Sequence, residues 1–270
     1  MNSVDYRGLA RDAGSFVKKA GTLLAQQQAS AKIRGYKDIA DIVTTADLAS
    51  ETLLVSLIHK KYPSHSIDSE EMGVKKQDSP YVWIIDPLDG TKEYARGITE
   101  YNCLIAVAQN DELVAGAMWR EGTHDLHICA KGHGSTLNGK PIMVSATSNL
   151  KKSFVGFHIP VGSLSDALID SSMALMRDLI GRAYRVRPGW DDARLLGWVA
   201  QGVLDAHIVI PGTNKWCDIA PAVLLVTEAG GTVSTMKGNP LTPERYKTEG
   251  LLASNKQLQA ILLNRTKIVV

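Results

Sequence analysis

The strongest constraint on the fold is a change of rhythm along the chain near residue 150. Before it, two amphipathic helical patterns at residues 9–28 and 48–62 precede short apolar runs, such as residues 81–85, that are typical of strands. The apolar runs at residues 103–108 and 113–119 predict a hairpin. After residue 150, strand patterns alternate with helical patterns, one of them at residues 195–203, which is typical of α/β structure. We predict an N-terminal α+β part, residues 1–149, and a C-terminal α/β part, residues 150–270.

Composition limits the classes of protein that the sequence can represent. Hydrophobic residues make up 44% of the 270 residues, which is enough for a substantial core. The 30 Lys and Arg nearly balance the 28 Asp and Glu, and no long single-sign run or long apolar segment occurs. The three cysteines are odd in number and far apart, which predicts reduced thiols, and no signal-peptide pattern is present. We therefore expect a cytoplasmic protein with neither a nucleic-acid nor a membrane partner.

The most informative segment is WIIDPLDGTKEY, in which an apolar run is predicted to end as a strand at Asp86. Pro87 stiffens the expected turn, so that Asp86, Asp89 and the carbonyl of Leu88 can converge on one point. Clustered carboxylates repel one another, and a divalent cation relieves the repulsion. Oxygen-only ligation favours magnesium, manganese or calcium over zinc. We expect Mg²⁺ at this point.

The two residues that follow predict a phosphate site. Gly90 allows close approach of the backbone, and the amides of Gly90 and Thr91 would begin a short helix. The alternative is an ordinary strand-to-turn segment, because Asp, Pro and Gly are common turn and cap residues.

Three further acidic segments add candidates. Glu70 lies in DSEEMG, and Asp47 ends a short β-like run at the start of the second helix. Asp218 stands at the start of a long apolar helix that has Pro221 in its first turn. Taken alone, each also fits a plain structural reading, a solvated turn for Glu70 and helix capping for the other two.

The four segments, in this order and at these separations, resemble the inositol monophosphatase superfamily of metal-dependent, lithium-sensitive phosphatases. The resemblance implies a layered αβαβα sandwich of the sugar-phosphatase type, a homodimer, two to three Mg²⁺ ions, and hydrolysis of a small phosphate ester by metal-activated water. The implied metal ligands are Glu70, Asp86, the carbonyl of Leu88, Asp89 and Asp218. The implied catalytic residues are Asp47, Glu70 and Thr91, of which Asp47 and Thr91 would form a pair that helps to activate the attacking water. The implied substrate contacts are Leu88, Gly90, Thr91, Asp191, Asp192 and Asp218. The N-terminal part would thus carry most of the metal ligands, and the C-terminal part the last metal ligand and the leaving-group contacts.

The substrate stays open between several phosphate esters. An inositol- or sugar-phosphate-like monoester is the leading expectation, although Pro211 stands where inositol-specific members carry an acidic residue. DGTKEY resembles the 3′(2′),5′-bisphosphate nucleotidase branch, which would act on 3′-phosphoadenosine 5′-phosphate. Trp190, Asp191 and Asp192 replace the usual Gly-Ser pattern and suggest a histidinol- or aminosugar-like phosphate, or else a helix cap. A non-catalytic phosphate-binding regulatory protein is the alternative from another class.

Overall fold

The computed structural model describes residues 5–36, 42–160, 164–189, 191–212 and 215–269. The chain forms two compact units. The first consists of Met1–Pro141 and Ala220–Leu224, and the second of Ile142–Ile219 and Leu225–Val270. The break thus comes at residues 141 and 142, whereas the sequence-based boundary was placed at 149 and 150. The functional roles assigned to the two parts stay predictions.

The described residues form eight α-helices and fifteen strands. The helices are α1 Tyr6–Gln27, α2 Thr45–Lys61, α3 Thr91–Ala95, α4 Asp166–Arg182, α5 Asp192–Ala200, α6 Ala220–Glu228, α7 Pro243–Glu249 and α8 Lys256–Thr266. The strands are β1 Ile33–Tyr36, β2 Ile42–Thr44, β3 Ser66–Ser69, β4 Gly73–Lys75, β5 Tyr81–Asp89, β6 Asn102–Gln109, β7 Glu112–Arg120, β8 Asp125–Ala130, β9 Ser135–Leu137, β10 Lys140–Ile142, β11 Phe154–His158, β12 Arg185–Pro188, β13 Ala206–Val209, β14 Thr232–Ser234 and β15 Leu251–Ser254.

The first unit is built on an eight-stranded sheet in the order β10-β9-β8-β7-β6-β5-β3-β4, beside a two-stranded sheet of β1 and β2. Neighbouring strands from β9 through β5 are antiparallel, so the predicted hairpin of β6 and β7 is confirmed. The exception is the pair β3 and β5, which run parallel. Because parallel strands point the same way, the carboxyl ends of β3 and β5 lie at the same edge of the sheet.

Helix α1 packs on this sheet through an apolar stripe at helical spacing, and it confirms the helix predicted at residues 9–28. Its buried residues include Leu9, Phe16, Val17, Ala20 and Leu24. A Cβ at Gly21 would lie 2.0 Å from Cδ1 of Trp119 on β7, so only glycine permits this close approach of helix and sheet. The second predicted helix is α2.

The second unit holds a five-stranded sheet in the order β12-β11-β13-β15-β14. Strand β11 runs parallel to both β12 and β13, whereas β15 is antiparallel to its two neighbours. Its core is apolar and includes Val155, Phe157, Leu175, Ile208 and Leu252. The predicted alternation of strands and helices is confirmed.

One predicted helix in this unit had wrong limits. The helix expected at residues 195–203 begins at Asp192 and ends at Ala200. Its start is set by Asp191, whose side chain accepts a hydrogen bond from the backbone N–H of Arg194.

Cys103, Cys129 and Cys217 are free thiols, as expected. Within the described ranges, no helix combines the length and the apolar character that crossing a membrane requires.

Candidate active site

The segment DPLD lies within strand β5 rather than after it. The predicted end of the strand at Asp86 is wrong, because β5 continues to Asp89. Asp86 lies opposite Leu104, and Asp89 lies opposite Asn102, so the register shifts between them and β5 carries an extra residue there. Pro87 has no N–H to donate to the ladder, and a bulge is one of the few places where a strand tolerates proline.

The two carboxylates of this bulge are held by hydrogen bonds. The backbone N–H of Leu88 donates to Oδ1 of Asp86 at 3.0 Å, and Asp86 is 2% exposed. Nδ2 of Asn102 donates to Oδ2 of Asp89 at 2.8 Å, and Asp89 is only partly buried. The bulge therefore holds two carboxylates, three residues apart, in defined orientations.

Gly90 follows the bulge and begins the short helix α3. Its φ of 89° lies in the left-handed region, and a Cβ there would meet the carbonyl oxygen of Glu100 at 2.9 Å. Both observations require glycine. Tyr94 on α3 is fully buried and donates its hydroxyl to the carbonyl of Leu24 at 2.7 Å, which anchors the helix below the bulge.

Thr91 and Asp47 lie in direct contact. Oγ1 of Thr91 lies 3.0 Å from Oδ1 of Asp47 and 2.9 Å from the carbonyl oxygen of Leu88. A hydroxyl has a single proton, so it donates to one of these two acceptors at a time. Asp47 is also bonded at the start of α2, where its Oδ2 accepts from the backbone N–H of Thr44 at 2.9 Å and from its hydroxyl at 2.5 Å. Burial raises the pKa of Asp47 above its ordinary value, although the hydrogen bonds from Thr44 and Thr91 oppose this.

Glu70 lies directly after β3, at the edge where β5 reaches Asp86. Its backbone N–H donates to the carbonyl of Ile85 at 3.2 Å, which continues the parallel pairing of the two strands. The first unit therefore brings together three of the four acidic segments.

Asp218 belongs to the second unit and lies in a turn two residues before α6. The thiol of Cys217 donates to its Oδ1 at 3.3 Å. Across the described residues, no three side chains of the His, Cys, Asp and Glu types are arranged to hold a metal ion. The metal ligands inferred from the sequence, Asp218 among them, thus stay predictions.

The structure gives Asp191 and Asp192 internal partners, while Trp190 lies outside the described residues. Asp191 caps α5, as the alternative interpretation predicted. Asp192 is 8% exposed and accepts from Nδ1 of His158 at 2.8 Å, from Nε2 of His207 at 2.8 Å and from the hydroxyl of Tyr246 at 3.3 Å. Both oxygens of Asp192 are used inside the second unit, which favours a structural role over contact with a substrate.

Sequence reasoning missed two polar residues in the first unit. Ser50 and Glu51 lie on the same face of α2 as Asp47 and are fully buried. Oγ of Ser50 donates to the carbonyl of Pro87 at 2.8 Å, and Oε1 of Glu51 accepts from the backbone N–H groups of residues 71 and 72. The available signal was a charged residue four positions after Asp47, on the side of the helix that faces the sheet.

Comparisons with known proteins identify the family of the chain. A model of the inositol monophosphatase family matches residues 3–269. The chain is 32% identical over 206 residues to the Nus factor SuhB of Pseudomonas aeruginosa, covering 75% of each chain. It is 31% identical over 227 residues to a fructose-1,6-bisphosphatase/inositol-1-monophosphatase of Aquifex aeolicus, covering 84% of this chain and 82% of that one.

A solved structure has the same fold. The extragenic suppressor protein suhB from Bartonella henselae superposes with a TM-score of 0.88 at 23% identity, over 96% of this chain and 98% of that one. The mixed α/β fold predicted from the sequence is confirmed. The chain belongs to the inositol monophosphatase family, whose members are mostly phosphomonoesterases and typically depend on Mg²⁺.

Proposed function

We propose that this protein is a Mg²⁺-dependent phosphomonoesterase that hydrolyses an inositol- or sugar-phosphate-like monoester. The observation that carries the proposal is the contact between Thr91 and Asp47 beside the bulge that holds Asp86 and Asp89. Carboxylates and a hydroxyl–carboxylate pair are the groups that a metal-assisted hydrolysis needs.

The donor groups at the bulge fit a hard divalent cation. Two carboxylates and the carbonyl of Leu88 lie within four consecutive residues, and oxygen-only donors are preferred by Mg²⁺. We propose that Asp86, Leu88 and Asp89 hold the metal together with Glu70. A bound Mg²⁺ supplies Lewis acidity, which makes water a better nucleophile and offsets the charge of the phosphate. The ligand role of Asp218 and the number of ions, two to three, stay predictions.

The chain's own residues position the nucleophile and the phosphate. When the Thr91 hydroxyl donates to Asp47, its oxygen is left to accept a hydrogen bond from a water molecule. Asp47 and Thr91 then orient that water, with Glu70 as its further contact. The backbone amides of Gly90 and Thr91, at the start of α3, would bind phosphate oxygens.

The identity of the ester rests on the relatives. The Aquifex relative is named for fructose 1,6-bisphosphate and inositol 1-phosphate hydrolysis, which supports an inositol- or sugar-like substrate. Pro211 argues against an enzyme restricted to inositol phosphates. The engagement of Asp192 inside the second unit weakens the histidinol- or aminosugar-phosphate alternative, which relied on a free acidic pair. The nucleotidase alternative remains open to assay.

A second candidate function is favoured by the name of the Pseudomonas relative, Nus factor, which does not describe a phosphatase. In that case the chain would be a phosphate-binding regulatory protein with little turnover. Measurable Mg²⁺ binding without hydrolysis of any ester in a broad panel would support it.

The site is tested by Asp89→Asn, with Asp111→Asn as a control. The control makes the same chemical change at an exposed turn of the same sheet, where a positive φ of 64° suits asparagine equally well. We expect Asp89→Asn to abolish Mg²⁺-dependent phosphate release while keeping the circular dichroism spectrum and melting temperature of the control. A fully active Asp89→Asn protein would refute the assigned site.

A further inference from the structure

Helix α2 presents three buried polar side chains on one face, and each contacts a different segment of the candidate site. Asp47, Ser50 and Glu51 are at most 1% exposed. Positions separated by three and four residues share one face of a helix. Asp47 contacts Thr91, Ser50 contacts the carbonyl of Pro87, and Glu51 contacts the turn that carries Glu70.

The contacts of Glu51 surround Glu70 on both sides. Its Oε1 accepts from the hydroxyl of Ser69, from the backbone N–H of Glu71 at 3.0 Å and from that of Met72 at 2.9 Å. The backbone N–H of Glu70 itself is bonded to β5. Residues 69–72 are therefore fixed by consecutive hydrogen bonds, and Glu51 bonds to the residues on either side of Glu70.

The burial of the Glu51 carboxylate carries a desolvation cost that its hydrogen bonds offset only in part. The side chain is fully buried, Oε2 has no hydrogen-bond partner, and no ion pair to this carboxylate occurs among the described residues. A plain turn needs no buried charge, because serine or asparagine can bond to backbone amides at lower cost. A carboxylate instead gives charge-assisted hydrogen bonds, which are shorter and stronger than neutral ones.

We infer that Glu51 is a positioning residue, which fixes the turn at residues 69–72 so that the Glu70 carboxylate is held ready for a divalent cation. The inference rests on the proposed function, in which Glu70 is a metal ligand. Groups that orient metal ligands typically change metal affinity or activity by 10- to 100-fold when they are removed. Glu51 is thus a determinant of Mg²⁺ affinity that does not itself touch the metal.

The test compares Glu51→Ala and Glu51→Gln with Leu54→Ala in the full chain. Leu54 is a fully buried core residue of the same helix, so its truncation destabilises the protein without removing a bond to the turn. Binding of Mg²⁺ alone is measured by titration calorimetry after EDTA treatment and dialysis, and thermal unfolding without metal is measured in parallel.

We expect Glu51→Ala to raise the Kd for Mg²⁺ on the order of tenfold. Glu51→Gln, which keeps one oxygen acceptor, should recover part of the affinity, and Leu54→Ala should leave the Kd unchanged although it lowers the melting temperature. If Glu51→Ala does not fold, Ser69→Ala takes its place. This variant removes one donor to Glu51 and should also raise the Kd for Mg²⁺.

Three outcomes are distinct. An unchanged Kd in the Glu51 variants, or in Ser69→Ala where it replaces Glu51→Ala, overturns the positioning role while the unmodified protein still binds Mg²⁺. An equal rise in Leu54→Ala overturns it as well, because the effect would then follow from lost stability. Absence of Mg²⁺ binding by the unmodified protein overturns this inference together with the proposed function.

Discussion

The network around Asp192 gives a sharp prediction for stability. Asp192 begins α5 and accepts hydrogen bonds from His158 at the end of β11, from His207 on β13 and from Tyr246 on α7. One buried carboxylate therefore joins four elements of the second unit. Removing one partner of a buried, hydrogen-bonded ion pair costs about 3–5 kcal/mol, since the other groups lose their acceptor but stay buried.

We expect Asp192→Ala to lower the free energy of unfolding by about 3–5 kcal/mol, which corresponds to a melting temperature lower by roughly 10 °C. Asp192→Asn should cost less, about 2–3 kcal/mol, because it keeps one oxygen acceptor. The control is Asp191→Asn, the same change one residue earlier, where asparagine caps a helix as well as aspartate does. Urea unfolding followed by circular dichroism measures all three variants. Equal stability of Asp192→Asn and Asp191→Asn would show that the buried Asp192 carboxylate does not stabilise the second unit.

The same carboxylate predicts a pH dependence. Burial alone would raise the pKa of Asp192, but the charge of His158 and the hydrogen bonds from His158 and His207 outweigh it and lower the pKa below its ordinary value. A depressed folded-state pKa contributes stability above the unfolded pKa, near pH 4, and that stability is lost as the pH falls toward the folded value. The stability gap between the unmodified protein and Asp192→Asn should therefore narrow below about pH 4. A gap that widens in acid would contradict this.

Three further predictions concern the first unit. Burial lowers the pKa of His127 from 6.5 to about 4. The protein should therefore lose up to about 3 kcal/mol of stability as the pH falls from the higher to the lower of these values, because the unfolded chain binds the proton more readily. The free energy of unfolding, measured with urea at both pH values, should depend less on pH for His127→Gln than for the unmodified protein. An equal pH dependence in the two proteins would count against the burial of His127 as the cause. Gly21→Ala should lower the melting temperature in calorimetry, since its Cβ would lie 2.0 Å from Trp119, despite the higher helix propensity of alanine. A higher melting temperature would show that the helix can move off the sheet. Thr91→Ala should lower kcat by about a hundredfold, and Thr91→Ser, which can still bond to Asp47, should retain most of it. Equal kcat values for the two variants would argue against the hydroxyl.

Local patterns predicted most of the fold. The apolar stripe of α1 and the alternation of strands and helices after residue 150 are properties of neighbouring residues, so they could be identified from the sequence. The errors arose where a distant partner decides the structure. Strand β5 continues past Pro87 because pairing with β6 resumes at Asp89, and this register cannot be derived from DPLD alone.

The candidate site was predictable in its residue types but not in its supporting contacts. Asp47 and Thr91 were paired through the family resemblance, and in the structure Oγ1 of Thr91 lies 3.0 Å from Oδ1 of Asp47. Glu51 went unnoticed because a charged residue within an amphipathic helix pattern is ordinarily exposed, and its burial depends on the turn after β3. The sequence left Asp192 open between a substrate contact and a helix cap, because it does not show that two histidines, 34 and 15 residues away, meet its carboxylate.

The proposed activity of this chain is the hydrolysis of a small phosphate monoester with Mg²⁺. The most direct measurement is phosphate release by the purified protein from inositol 1-phosphate, fructose 1,6-bisphosphate, 3′-phosphoadenosine 5′-phosphate and histidinol phosphate, each with Mg²⁺, with EDTA and with added lithium. We predict release from an inositol or sugar phosphate that requires Mg²⁺, ceases in EDTA and is inhibited by lithium. Release that persists in EDTA, or no release from any ester while the protein binds Mg²⁺, would contradict a Mg²⁺-dependent phosphatase activity.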